Sequence, residues 1–391
     1  MARPRQAACC TPGRPAQPVC SARLLSPSAQ PLAPAGSTGD VLAWTLATGT
    51  GRIEVRCGVS GVVAWLLAVA AVLLAVVAWP PLVARAMGGQ PPGPGARLAA
   101  LAPLAALPAV TAVAVAAAAS RWLALLLAFP AAVLVAWQLP PLRCPGPEVA
   151  AGQRPAADRR PGVVTLRVLT LNAKGGSADP AAVLGRLRRH RVDVLAVQEL
   201  TPTMVRRLED AGVAGVLPFC HLDPRPRSPG VGLWARWPLD PLPPLPGLMA
   251  AAPRARIVPA GGWPVTVSAV HPIAPTKGHD HEWRRDLGLI ESALAGATEP
   301  QVVAGDFNAS RDHRPFRDLL AAGFVDCADA ALSRPWPGFT WPADRWIRPV
   351  MRLDHVLVSR AGAAVLEARI IRVPGTDHCG VLAVIEFQPA A

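Results

Sequence analysis

Residues 302–310 read VVAGDFNAS. Val302, Val303 and Ala304 form a short continuous apolar run, the pattern of a strand buried on both faces, and Gly305 ends it. A carboxylate (Asp306) and an amide (Asn308) follow at once. The stretch predicts a strand over 301–304 with chemistry mounted on its end. The same pattern recurs along the C-terminal part. Leu169–Leu171 runs into Asn172, Val194–Val197 into Gln198 and Glu199, and Val265–Val270 into His271. Leu353 leads into Asp354 and His355, and Gly375–Thr376 into Asp377, His378 and Cys379.

Between these runs lie helical patterns over 180–190, 203–210, 281–295 and 315–321, and further strands are expected at 163–171, 192–197, 353–358, 368–373 and 380–387. About 229 residues of this texture imply one α/β domain over 163–391 with its own core. Strand ends are rigid mounts. Carboxylates, amides and imidazoles gathered at one sheet edge suit a hard cation together with a phosphate.

The remainder of the chain is different in kind. Of its 391 residues 51% are hydrophobic and 17% charged, against roughly 25% charged in ordinary soluble proteins. This excludes a disordered protein and argues against a purely soluble one. Residues 59–140 hold three apolar runs, 61–79, 98–119 and 122–139, each with the length of a membrane helix. Pro103, Pro108 and Pro130 are tolerable in such helices because neighbouring groups satisfy the freed carbonyls. Residues 1–58, rich in Pro, Ala, Ser and Arg, read as a disordered tail or an upstream start, and 141–162 as a Pro- and Arg-rich linker.

The formal charge is +13, but residues 1–160 carry +9 of it and 161–391 only +4. The C-terminal domain therefore lacks the strongly basic surface expected of a nucleic-acid groove. The eight cysteines show no zinc-ribbon spacing. The sequence His279-Asp280-His281-Glu282 reads as an exposed stretch ahead of a helix more readily than as a second metal site, and His190, His221, His313 and His355 as structural or solvated.

Taken in order, LTLNAKGG (169–176), VLAVQEL (194–200), AVHP (269–272), VVAGDFNAS (302–310), RLDHVLVS (352–359) and GTDHCG (375–380) resemble the endonuclease/exonuclease/phosphatase superfamily with its DNase-I-like fold. The resemblance covers about Val163–Phe387 and implies a four-layer α/β sandwich preceded by a three-helix transmembrane anchor. It implies that Glu199 is the main ligand of Mg²⁺ (or Mn²⁺), supported by Asn172 and Asp377. It makes Asp306 the base for the attacking water, with Asn308 and His271 on phosphate oxygens. It places His378 at the scissile phosphate, oriented by Asp354. Thr376 stands where the family usually has Ser. The tyrosine of apurinic-type nucleases is missing, because the chain contains no Tyr.

The anchor raises the effective concentration of membrane substrates. The expected activity is hydrolysis of a phosphodiester, phosphomonoester or lipid pyrophosphate by in-line attack of an activated water. A membrane-tethered nuclease acting on DNA or RNA is the alternative. A bacterial branch of the superfamily, which includes the membrane protein linked to teicoplanin resistance, has three membrane helices before the catalytic domain, and this chain is similar to it. That likeness implies a multi-pass cell-membrane protein with an extracytoplasmic catalytic domain and a lipid or envelope-linked substrate.

Overall fold

The computed structural model describes residues 21–24, 41–48, 51–58, 61–88, 94–127 and 163–388, except 260–261, 277, 296–298, 332–337 and 361–362. Within the tail, where the sequence shows no apolar period, it describes three strands: β1 (Ser21–Leu24), β2 (Val41–Thr48) and β3 (Gly51–Gly58). They form an antiparallel sheet with β3 in the centre. The linker 141–162 lies outside the described residues.

Two helices are long and apolar enough to cross a membrane, α1 (Gly61–Ala86) and α3 (Ala102–Ala119). The short α2 (Pro94–Ala100) precedes α3. At 1.5 Å per residue the 26 residues of α1 extend about 39 Å, more than the roughly 30 Å of a bilayer core. Of the third apolar run, α4 (121–127) is helical and 128–139 lie outside the described residues.

The C-terminal part is built on two six-stranded mixed sheets. The first contains β4 (Val164–Asn172), β5 (Val194–Gln198), β6 (Phe219–Asp223), β7 (Val231–Ala235), β14 (Ala363–Arg372) and β15 (Cys379–Phe387), in the order β14-β15-β4-β5-β7-β6. The second contains β8 (Asp240–Leu242), β9 (Arg254–Ile257), β10 (Val265–Val270), β11 (Gln301–Asp306), β12 (Phe324–Asp326) and β13 (Asp354–Ser359), in the order β12-β13-β11-β10-β9-β8. In each sheet one central pair is parallel, β4 with β5 and β10 with β11. Every other pair is antiparallel.

Side chains alternate across a strand, and here both faces are covered. Leu166, Val168, Val194 and Ala196 meet Val267, Ala269, Val302, Ala304, Val356 and Val358 between the sheets. The intervening residues Leu169, Leu171, Leu195 and Val197 turn outward beneath α5 (Pro180–His190) and α6 (Pro202–Asp210). On the other side, Val270, Val303 and Leu357 pack under α7 (Asp280–Leu294) and α8 (Arg314–Ala321). The result is an α/β sandwich layered helix, sheet, sheet, helix, and it explains why the strands read as continuous apolar runs. A further short helix, α9 (Cys327–Ala331), follows β12.

The helices begin where the sequence supplies caps. Asp179 accepts the Ala181 N–H at the start of α5 and Thr201 the Met204 N–H at the start of α6, each followed by Pro at the first helical position. The weakly apolar strands β6, β8, β9 and β12 escape a reading by hydrophobic periodicity. Three of them, β6, β8 and β12, lie at sheet edges.

Candidate active site

Both parallel pairs end at the same end of the sandwich, and the antiparallel strands β13 and β15 begin there. Asn172 closes β4, Glu199 follows β5, His271 follows β10 and Asp306 closes β11. Asp354 opens β13 directly opposite Asp306 in the ladder, and His378 immediately precedes β15. Residues up to 206 positions apart in the chain are thus delivered to one edge by strand register alone. Gly305 is required for this convergence. A Cβ there would lie 2.0 Å from the Val270 carbonyl oxygen, so a side chain would push β11 away from β10.

Asp306, 1% exposed, is the hub. Its Oδ1 accepts the Asn308 backbone N–H (2.8 Å). Its Oδ2 accepts Asn172 Nδ2 (2.9 Å) and lies 3.7 Å from both His271 Nε2 and His378 Nε2. Each imidazole is aimed by its other nitrogen. His271 Nδ1–H donates to the Ser228 carbonyl (3.1 Å), and His378 Nδ1–H to Asp354 Oδ2 (2.9 Å). Second partners of this kind fix tautomer and ring orientation. Thr376 Oγ1 donates to the Asn172 carbonyl and accepts the His378 N–H, joining β4 to β15. Asn308, at φ +47°, donates Nδ2 to the Pro272 carbonyl (3.0 Å).

Burial alone would lower the His378 pKa, but the carboxylates of Asp354, Asp306 and Asp377 outweigh it and push the imidazole up to about 10. At neutral pH the ring is therefore charged and pairs with the Asp354 carboxylate.

Glu199 is held in the left-handed region at φ +53°, where a side chain with a Cβ costs energy and functional sites concentrate. Its Oε2 accepts the Gly175 N–H (2.7 Å), and its Oε1 shares Asn172 Nδ2 (3.2 Å) with Asp306. Two carboxylates thus converge on one polarised N–H₂ group. These hard oxygen donors fit a hard divalent cation. The Asn172 side-chain oxygen is engaged by the Lys174 N–H (2.9 Å), so in this arrangement its amide nitrogen faces the carboxylates. Asp377 accepts Trp341 Nε1 through Oδ2 (3.3 Å). Among the described residues, the close carboxylate–imidazole trio with ligand atoms within 4.8 Å of one another is Asp306, Asp354 and His378. None of these three belongs to the ligand set expected from the sequence.

All eight expected residues fall at this end. Seven are linked by the contacts above, and Asp377 lines the same cavity as Glu199, His271, Asp306, Asn308 and His378. The cavity measures about 960 Å³. Sequence reading did not find several of its walls. Lys174, in an ion pair with Asp344 (2.5 Å), and Trp341, Met351, Met249 and Ile273 also face it. So do Ala96, Arg97, Ala100 and Leu101 from α2 and the residue after it. The clue to this last wall is two arginines, Arg85 and Arg97, with glycines and prolines between two apolar runs.

Arg85 pairs with Asp312 (2.7 Å), both buried. His313 Nδ1 accepts the Ser310 N–H (2.8 Å), which leaves Nε2–H to donate to the Ala96 carbonyl (2.7 Å). Complete burial holds His313 neutral, with its pKa lowered to about 4. His355 is likewise structural. It bridges Asp326 (2.8 Å) and the Ala309 carbonyl (2.9 Å) beside Phe307 and Phe316. Asp280 is buried at the start of α7, and His279 lies on the cavity wall.

A family model described as "Endonuclease/Exonuclease/phosphatase family" matches residues 169–378, just over half of the chain. Several solved structures are similar. TDP2 of D. rerio complexed with a single-strand DNA product shares 18% identity and a TM-score of 0.47 over 56% of this chain and 98% of that one. An endonuclease/exonuclease/phosphatase from Beutenbergia cavernae shares 18% at 0.44, over 58% and 72%. A mannosyl-6-phosphatase from Bacteroides thetaiotaomicron shares 14% at 0.43, over 56% and 99%. No curated protein matches the chain.

Proposed function

The chain belongs to the endonuclease/exonuclease/phosphatase family and is a phosphoric ester hydrolase, and we propose that it is a divalent-metal-dependent enzyme acting on a phosphate of a membrane lipid or envelope compound. The observation that carries this reading is the convergence of Asn172, His271 and His378 on Asp306 Oδ2, with Glu199 on the same Asn172 amide.

Glu199, with Asn172 and Asp377, would hold Mg²⁺ or Mn²⁺, which when bound neutralises phosphate charge and acidifies water. Reorienting the Asn172 amide would turn its oxygen toward the ion. Asp306 takes the proton of the attacking water at Oδ2. His271 and Asn308 hold non-bridging oxygens. His378, kept charged by Asp354, stabilises the negative charge that builds on phosphorus and its leaving oxygen. The in-line displacement needs no covalent enzyme intermediate.

Membrane attachment is supported by α1 and α3 and by the cavity wall of α2. A segment lying between two bilayer-crossing candidates also borders the catalytic groups. For α2 and the domain beginning at Val163 to occupy one side, the chain must cross back after α3. This supports a third crossing by 122–139 and the layout of the teicoplanin-resistance-like branch. On this wall Arg97 together with apolar Ala96, Ala100 and Leu101 suits an anionic headgroup with an apolar chain. The nuclease reading has against it the domain charge of only +4.

The test is hydrolysis by the purified full-length chain of a soluble aryl phosphodiester, a polyprenyl pyrophosphate and plasmid DNA, with and without Mg²⁺. The proposal predicts Mg²⁺-dependent turnover of the lipid pyrophosphate and the diester. Cleavage of DNA alone overturns it.

A further inference from the structure

The loop between Trp341 and Met351 carries a feature that catalysis does not use. Trp346 is 97% exposed and Ile347 36%. A large apolar pair at a loop tip is costly in water. On either side stand the exposed Arg345 and Arg348, neither of them in an ion pair among the described residues. The nearby acid, Asp344, is already neutralised by Lys174. The tip is therefore a tryptophan and an isoleucine bracketed by two exposed arginines.

Its base is rigid. The Trp341 N–H donates to the Met351 carbonyl (2.9 Å), and the Val350 and Met351 N–H groups donate back to the Trp341 carbonyl (2.8 and 3.0 Å). The Ala343 N–H donates to the Asp377 carbonyl (2.7 Å), and Trp341 Nε1 to the Asp377 side chain. Trp341 and Met351 themselves line the catalytic cavity. Whatever the tip touches is thereby held at a fixed offset from His378 and Asp306.

We propose that the loop 343–350 seats in the interface of an anionic bilayer, with Trp346 and Ile347 among the headgroups and upper chains and Arg345 and Arg348 on lipid phosphates. Tryptophan is favoured at the membrane–water boundary, and arginines near an anionic surface add attraction. Charge complementarity selects the anionic bilayer as occupant. The mouth of the cavity is then presented to the lipid surface, and a headgroup phosphate need leave the bilayer only by the height of the loop. This inference rests on the membrane-phosphoesterase reading and specifies how that site meets its substrate.

The test uses the full-length chain reconstituted in phosphatidylcholine vesicles with or without phosphatidylglycerol. Trp346→Cys and, as a control on another exposed apolar residue, Val258→Cys are labelled with an environment-sensitive dye, and the labelled parent chain is the blank. The label at position 346 is expected to shift to the blue and to resist aqueous iodide, more strongly with phosphatidylglycerol, while the label at position 258 stays quenchable. In a parallel assay Arg345→Gln/Arg348→Gln is expected to raise KM for vesicle-borne polyprenyl pyrophosphate about tenfold while leaving soluble-diester hydrolysis unchanged. Equal quenching at both positions overturns the proposal. So does shielding of position 346 by single-stranded DNA without vesicles. A parent chain inactive on every ester would instead defeat the enzyme reading, and the dye result would still decide the loop.

Discussion

Lowering the pH should loosen α2 from the catalytic domain, and the size of the effect follows from His313. Its ring is completely buried and neutral, with Nε2–H on the Ala96 carbonyl and a pKa of about 4 against an ordinary 6.5. Above pH 6.5 neither the docked nor the released form binds a proton at this ring, and the docked form has its full stability. Below 6.5 a released His313 takes up a proton that the docked one refuses. Docking then weakens by about 1.4 kcal/mol per pH unit, to a ceiling of roughly 3 kcal/mol once the pH passes about 4. At pH 5 the loss is about 2 kcal/mol, a factor of roughly 30 in the opening equilibrium. Hydrogen exchange of the α2 amides, corrected for the intrinsic pH dependence, measures that opening. His313→Gln keeps a donor for the Ala96 carbonyl but cannot titrate, so its opening equilibrium should be independent of pH across this range. If the parent chain shows no change between pH 7 and 5, or the glutamine variant shows the same slope, the ring does not lock α2 in the manner described.

Asp354→Asn removes the carboxylate that keeps His378 charged, and should cut turnover of a soluble diester by about 10²–10³-fold with the far-ultraviolet circular dichroism unchanged. Gly305→Ala should cost about 1–3 kcal/mol of stability, read as a lower Tm, because its methyl group meets the Val270 carbonyl; activity should fall further than stability, because Asp306 is displaced. Glu199→Gln should raise the Mg²⁺ concentration for half-maximal activity by about tenfold or more, with KM for the ester at saturating Mg²⁺ changed less.

Much of the catalytic end is legible in the sequence because strand period and strand termination are local properties. Val302–Ala304 reads as a short strand covered on both sides, and the structure adds the reason for Gly305, its close approach to β10. The polar residue after each run therefore lands at one sheet edge once the sheets assemble. The edges were not legible. β6 and β8 contain Phe219, Cys220, Asp240 and Pro241, mostly exposed, and their pairing is set by neighbours and not by an apolar period. The α2 wall was hidden for another reason. Pro94–Ala100 is short and nearly featureless, and its role depends on Arg85–Asp312 and His313–Ala96, contacts between residues more than 200 positions apart. Likewise Trp336, Trp341 and Trp346 cluster before Asp354 in the sequence, a pattern that fits a lip dipping into lipid as well as a core, and it is the exposure of Trp346 that separates the two.

The central claim is that Asp306, joined to Glu199 through the Asn172 amide and flanked by His271 and His378, activates water against a phosphoric ester beside a divalent ion. Its most direct test is the rate of soluble-diester hydrolysis by the parent chain and by Asp306→Asn across a Mg²⁺ titration. The parent should be silent in chelator and rise saturably with Mg²⁺, and the variant should lose about 10³-fold or more at every concentration. Hydrolysis that persists in chelator, or that survives the loss of the Asp306 carboxylate, would contradict the account.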